Sequence, residues 1–194
     1  MSGLDDVILA AAEVEAFCRN HAWQFCFIGG VAVQRWGMPR FTQDVDLTLM
    51  AAWGTEAKFV DTLLEKFPAR LSNARNFALE HRVLLAKTAS GIALDFALGA
   101  FPFEEASTER ATLWSVSDQV TLTTCSAEDL VIHKVFAGRD RDWGDVGSVL
   151  VRQLGKLDLD HIRRELPPLL ELKDDVESFE KLQRLIADAD SRSQ

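Results

Sequence analysis

Two periodicities alternate along the chain. Over residues 4–22, Val7, Ile8, Ala11, Val14 and Phe17 or Cys18 recur at helical spacing, which predicts an amphipathic helix. An apolar run over 24–28 predicts a first strand. The pair Gly29-Gly30 then turns the chain into a short helix over 31–36, stopped by Gly37 and Pro39. Over 44–50 the period becomes two. Val45, Leu47 and Leu49 fall on one face and Asp44, Asp46 and Thr48 on the other, as in a half-buried strand. A helix over 55–67 carries the stripe Phe59, Val60, Leu63, Leu64 and Phe67, with Thr55 placed to cap it and Pro68 beyond its end.

Strand patterns over 80–87 and 92–98, joined by Ala89-Ser90-Gly91, predict a hairpin, and weaker strands lie near 113–116 and 120–124. From Ser126, a candidate N-cap, the pattern is helical: to about 137, then 142–154, 158–166 and 174–189. The order predicts an α/β core over 1–125 followed by a helical region over 126–194 packed on it.

Composition narrows the function classes. The 194 residues are 47% hydrophobic and 26% charged, enough for one domain or a core with an appendage. A net charge of −9 argues against broad binding to nucleic acid, which needs basic surface. It leaves room for a local polyphosphate site, because metal-holding carboxylates add to the negative count and Lys134, Arg139 and Arg141 form a compact basic group. The acidic start Met1 to Asp6 is unlike a signal peptide, and no apolar run approaches the roughly 20 residues that span a bilayer. A cytoplasmic protein without a membrane partner is expected. Cys18, Cys26 and Cys125 are odd in number, widely spaced and set in apolar surroundings. They read as buried thiols, and the four histidines show no ligand spacing.

The candidate chemistry sits in Gly29-Gly30 and Asp44-Val45-Asp46. Glycines between a strand and a helix N-terminus leave backbone N–H groups open to a phosphate, although a glycine pair there is often only a packing device. Residues i and i+2 of a strand share a face with Cα atoms roughly 6.6 Å apart, so Asp44 and Asp46 can converge on the same cations. A third acid, Asp95, lies in the nearly uniform apolar run Ile92-Ala93-Leu94-Asp95-Phe96-Ala97-Leu98. A buried aspartate is costly unless it is paired, hydrogen-bonded or metal-bound. If its strand lies beside 44–50, three carboxylates meet, and two divalent ions about 3.5–4 Å apart can clamp a triphosphate. Otherwise Asp95 is a structural carboxylate satisfied by backbone or an arginine.

Lys134 falls among Ala127, Leu130 and Val131 on its helical wheel, an odd place for an ammonium unless it snorkels to solvent. Arg40, just before the acidic strand, can reach phosphate or pair with an acid. Asp142 and Asp145 open a helix, where the macrodipole favours acids.

The pattern Gly29-Gly30, Asp44-x-Asp46 and Asp95 resembles the nucleotidyltransferase fold superfamily, with glycine at residue 30 where many members carry serine. The stretches 37–47 and 128–146 are similar to the small bacterial AbiEii-toxin-like nucleotidyltransferases, and the resemblance covers roughly residues 20–150. It implies an α/β (α+β) fold with a mixed sheet flanked by helices. It also implies that Asp44 and Asp46 bind Mg²⁺ (two ions, with Mn²⁺ as a substitute), that Asp95 is a further ligand or the base, and that Lys134 meets the nucleotide phosphates. Gly29, Gly30, Arg40 and Asp145 join it on the nucleotide side.

The implied reaction moves an NMP from an NTP to a hydroxyl acceptor (a protein, a tRNA 3′ end or a small molecule) with loss of pyrophosphate. A toxin–antitoxin setting with a cognate antitoxin protein follows from the same resemblance. Two other readings compete. One is an inactive nucleotide-binding or protein-interaction module, and the other is an antitoxin-like subunit using the stripe Val176, Phe179, Leu182 and Ile186.

Overall fold

The computed structural model describes residues 3–191. The elements run α1 (Gly3–Asn20), β1 (Phe25–Phe27), α2 (Gly29–Trp36), β2 (Asp44–Met50), α3 (Glu56–Lys66), α4 (Ala74–His81), β3 (Val83–Lys87) and β4 (Ala93–Gly99). They continue with α5 (Pro102–Glu109), β5 (Thr112–Ser115), β6 (Thr121–Thr124), α6 (Ala127–Ala137), α7 (Asp140–Arg152), α8 (Leu159–Glu171) and α9 (Glu177–Ser191).

One mixed six-stranded sheet has the order β3-β4-β2-β1-β6-β5. β2 is parallel to β4 and antiparallel to β1, and two antiparallel pairs, β3–β4 and β5–β6, form the edges. The register builds the core. Phe27, Leu47, Phe96 and Leu84 lie in one row across the sheet and are fully buried, together with Val14, Val60 and Leu63 from α1 and α3. Period two places the polar set of β2 on the opposite face, where α5 packs against β1 and β2. All three cysteines are buried, and burial, with Glu15 nearby, pushes the Cys18 thiol up to about 12.

Three expectations change. Residues 80–82, expected in a strand, close α4 instead, with Arg82 as a left-handed C-cap whose N–H donates to Ala78 O. The strand itself begins at Val83. α5, absent from the sequence reading, opens with Pro102 in its first turn, and the Glu104 carboxylate accepts from the backbone N–H of Phe101 at 2.9 Å. Thr55 does precede α3, but its hydroxyl donates to Ala52 O at 2.7 Å and caps nothing.

The chain divides into two compact units, Met1–Val31 with Phe41–Cys125, and Ala32–Arg40 with Ser126–Gln194. The segment 32–40 falls in the second unit because it bonds to the C-terminal helices. Gln153 Nε2 donates to Trp36 O at 2.9 Å, Arg152 donates to Gly37 O, and Met38 N donates to Ser148 Oγ at 3.2 Å. In this second unit α6 packs against α7, α8 and α9, and the Ser126 hydroxyl caps α6 by accepting from Asp129 N at 3.0 Å. Of the predicted C-terminal stripe, Leu182 and Ile186 are buried whereas Val176 is 70% exposed. Among the described residues no helix is long and apolar enough to cross a membrane.

Candidate active site

In the first unit register puts the acids on one face of the sheet. Asp46 pairs with Asp95 across the parallel β2–β4 ladder, and Asp44 lies two residues earlier on the same face. Asp95 does not sit in a strand buried on both faces, as the uniform run of apolar letters implied. Burial alternates along β4: Leu94, Phe96 and Leu98 are inside, while Asp95 lies on the other face between the small side chains of Ala93 and Ala97. Its side chain remains 33% exposed.

Gly29 begins α2 at φ +55°, in the left-handed region that disfavours any side chain. Space forbids one as well. A Cβ there would overlap Asp46 Oδ2 and lie 2.6 Å from Asp46 Cγ, so the carboxylate rests against the bare backbone at the helix N-terminus. Ile28 N donates to Asp46 O at 3.0 Å and locks β1 to this point of β2.

Arg70 is a site residue the sequence reading missed. Its backbone N–H donates to Leu85 O at 3.0 Å, and Leu85 faces Asp95 across β3–β4, which brings the guanidinium onto Asp95 Oδ1. Burial pushes the Asp95 carboxyl up, Arg70 pulls it down and the Asp44 charge pushes it up again, leaving it above the ordinary value. No periodicity marks Arg70, which lies between α3 and α4. Thr42, inside the motif stretch 37–47, is a second residue that sequence pattern does not single out. Its hydroxyl donates to Asp44 Oδ1 at 3.0 Å.

Among the described residues no group of three or more His, Cys, Asp or Glu side chains is gathered closely enough to hold a metal ion. The third carboxylate is engaged by Arg70. The donor chemistry at Asp44 and Asp46 still suits a hard divalent cation: two partly exposed carboxylates share one face, and the Asp44 charge already raises Asp95.

The remaining predicted residues meet inside the second unit. Lys134 is 5% exposed and lies 2.9 Å from Asp142 Oδ1 and 2.8 Å from Asp145 Oδ2. Arg40 forks onto Asp145 through Nε and Nη2, at 2.6 and 2.7 Å. Arg139 Nε donates to Asp142 Oδ2 at 2.6 Å. Burial raises both carboxyls, but hydrogen bonds and charge from Arg139, Lys134 and Arg40 outweigh it and hold Asp142 and Asp145 below the ordinary range. The helix-terminus account of these two acids is therefore incomplete. They are buried, so the snorkelling account of Lys134 fails with it.

Residues 15–175 match the family model described as "Nucleotidyl transferase AbiEii toxin, Type IV TA system". No curated protein matches the chain. A solved structure of an antigenic nucleotidyltransferase-like protein from Paracoccidioides brasiliensis aligns at 13% identity with a TM-score of 0.55, over 90% of this chain and 91% of that one. The lincosamide antibiotic adenylyltransferase LnuA aligns at 15% identity and TM-score 0.45, over 71% and 92% of the two chains. The antibiotic-resistance factor ANT(2'')-Ia aligns at 16% and 0.42, over 98% and 91%. The first of these establishes a shared fold.

Proposed function

The chain belongs to the AbiEii nucleotidyltransferase toxin family, and from that premise we propose that it transfers an NMP from an NTP to a hydroxyl acceptor at Asp44, Asp46 and Asp95. The observation that carries the proposal is the register of Asp46 against Asp95, with the Asp46 carboxylate seated on Gly29 at the start of α2. Phosphate-binding N–H groups and acids then converge at one end of β2. Asp44 and Asp46 would hold Mg²⁺ or Mn²⁺, which supplies charge neutralisation for the triphosphate.

The acceptor oxygen bonds to the α-phosphorus as its bond to the α–β bridging oxygen breaks, and pyrophosphate leaves with that electron pair. The acceptor proton goes to Asp95, whose Oδ1 is held by Arg70 and whose raised carboxyl suits a base. The Gly29-Gly30 backbone takes the phosphates, and positioning does most of the work.

Arg40, Lys134 and Asp145 enter as a separate proposal on the nucleotide side. Because each charge is already matched inside the helical unit, that proposal requires Lys134→Met to weaken NTP binding as well as stability. Stability loss alone leaves the network a structural role.

The family description names a type IV toxin–antitoxin system, so an antitoxin protein is the proposed partner, and the acceptor is proposed to be macromolecular. Incubation with each α-labelled NTP, Mg²⁺ or Mn²⁺ and a cell extract tests the proposal. Label is expected in an acceptor with the native chain, and at least about a hundredfold less with Asp44→Asn or Asp46→Asn. Undiminished transfer in both variants removes the assignment. NTP binding that needs no divalent ion and yields no transfer favours the binding-module reading.

A further inference from the structure

Resting on the site assignment above, we propose that Thr42 is a positioning residue that supplies, from the strand side of the turn, the hydroxyl that residue 30 lacks. The sequence left a gap at Gly30, and the structure fills it. Gly30 is helical and outside the left-handed region, so its backbone does not require glycine. A neighbour does: a Cβ on residue 30 would overlap Thr42 Oγ1 and lie 2.8 Å from Thr42 Cβ and 3.3 Å from Cγ2. The Thr42 hydroxyl therefore occupies the volume that a serine side chain at residue 30 would need.

The surroundings of Thr42 agree. It is 4% exposed although Phe41 and Gln43 on either side are exposed, and the stretch carrying it has no regular structure. A threonine buried in such a stretch needs a partner for its hydroxyl, and that partner is Asp44 Oδ1 at 3.0 Å. A hydrogen bond to a carboxylate is charge-assisted and orients it. One Asp44 oxygen is thus committed to Thr42 and the carboxylate plane is set, which directs the other oxygen as a cation ligand. Outer partners of this kind typically alter metal affinity about 10- to 100-fold. Residues 30 and 42 form one complementary pair: only one of them can carry the side chain.

The experiment is a hydroxyl transplant, read by Mn²⁺ uptake with ATP, CTP, GTP and UTP in calorimetry, by thermal melting, and by label transfer. Thr42→Val is expected to fold and to bind Mn²⁺ with nucleotide about 10- to 100-fold more weakly, and Thr42→Ser to restore native binding. Gly30→Ser alone is expected to lower the melting temperature. Gly30→Ser with Thr42→Gly is expected to regain stability and binding; glycine is used because the Cβ of alanine would still crowd residue 30 at 2.8 Å.

Native Mn²⁺ binding in Thr42→Val overturns this inference alone. So does a double variant no better than the sum of its singles. A native chain that takes up no Mn²⁺ with any of the four nucleotides overturns the transfer reading and this inference together.

Discussion

The two units treat their aspartates in opposite ways. In the helical unit Asp142 and Asp145 are buried against Lys134, Arg139 and Arg40, and cations outweigh burial, so both carboxyls are held low. At the β2–β4 ladder Asp95 faces one arginine and a neighbouring Asp44, and burial wins, so its carboxyl is held high. The lesson concerns charge balance. A carboxylate group whose charge is matched from within the chain is complete as it stands, whereas one short of positive charge keeps an unmatched negative charge, on which the proposed cation site rests.

Substitutions in each unit test this contrast. The largest effect belongs to the ladder. Asp44→Asn or Asp46→Asn is expected to lower transfer by about a hundredfold or more, the scale of losing a charge-stabilising group, with the melting temperature unchanged or raised. A variant that loses stability in proportion to activity would erase the distinction between the units. Next comes Lys134→Met, which leaves two carboxylates buried without their shared ammonium. A loss of about 3–5 kcal/mol in urea unfolding is expected, and a loss below 1 kcal/mol would mark the network as surface-like.

Acid titration separates the groups by sign. Asp142 and Asp145 have depressed values, so they add stability above the ordinary carboxylate range near pH 4, and that stability is lost as pH falls through their folded values. Asp95 is raised, so its effect runs the other way: stability falls as pH rises from the ordinary value through the folded one. Carboxyl NMR shifts in metal-free protein check this order, with Asp95 titrating above Asp142 and Asp145. The smallest effect is expected from Arg70→Gln. Removing one cation from Asp95 should tighten Mn²⁺ binding about fivefold, from roughly 1 kcal/mol of Coulomb repulsion between a unit charge and a divalent ion about 8 Å apart in water. Weaker binding would instead make Arg70 a substrate-side residue.

How far the sequence showed all this depends on where the information lies. β2 was legible to the residue because strict alternation and Asp-x-Asp are local signals. α5 was not, since its inward residues are Phe103, Ser107 and Thr108 and show no apolar stripe. α4 buries only Ala74 and Ala78, too little hydrophobic contrast to register over eight residues. Among site residues, the acids announced themselves by type and spacing. Arg70 reaches Asp95 only through the row Arg70, Leu85, Asp95 across three chain segments, and Asp145 is buried against an arginine 105 residues away. Such pairings exist only once the sheet and helices have formed.

The interleaving of the units gives the segment 32–40 a history in time. It emerges in synthesis well before its partner, because the carboxylate that Arg40 forks onto is 105 residues further along, about 5–20 s at roughly 5–20 residues per second. For that interval the backbone acceptors of Trp36 and Gly37 lack Gln153 and Arg152, and Thr42 and the strand that begins at Asp44 follow an unanchored segment. A nascent chain arrested after β6 would carry all three ladder acids while the second half of α2 still lacked the helices that hold it.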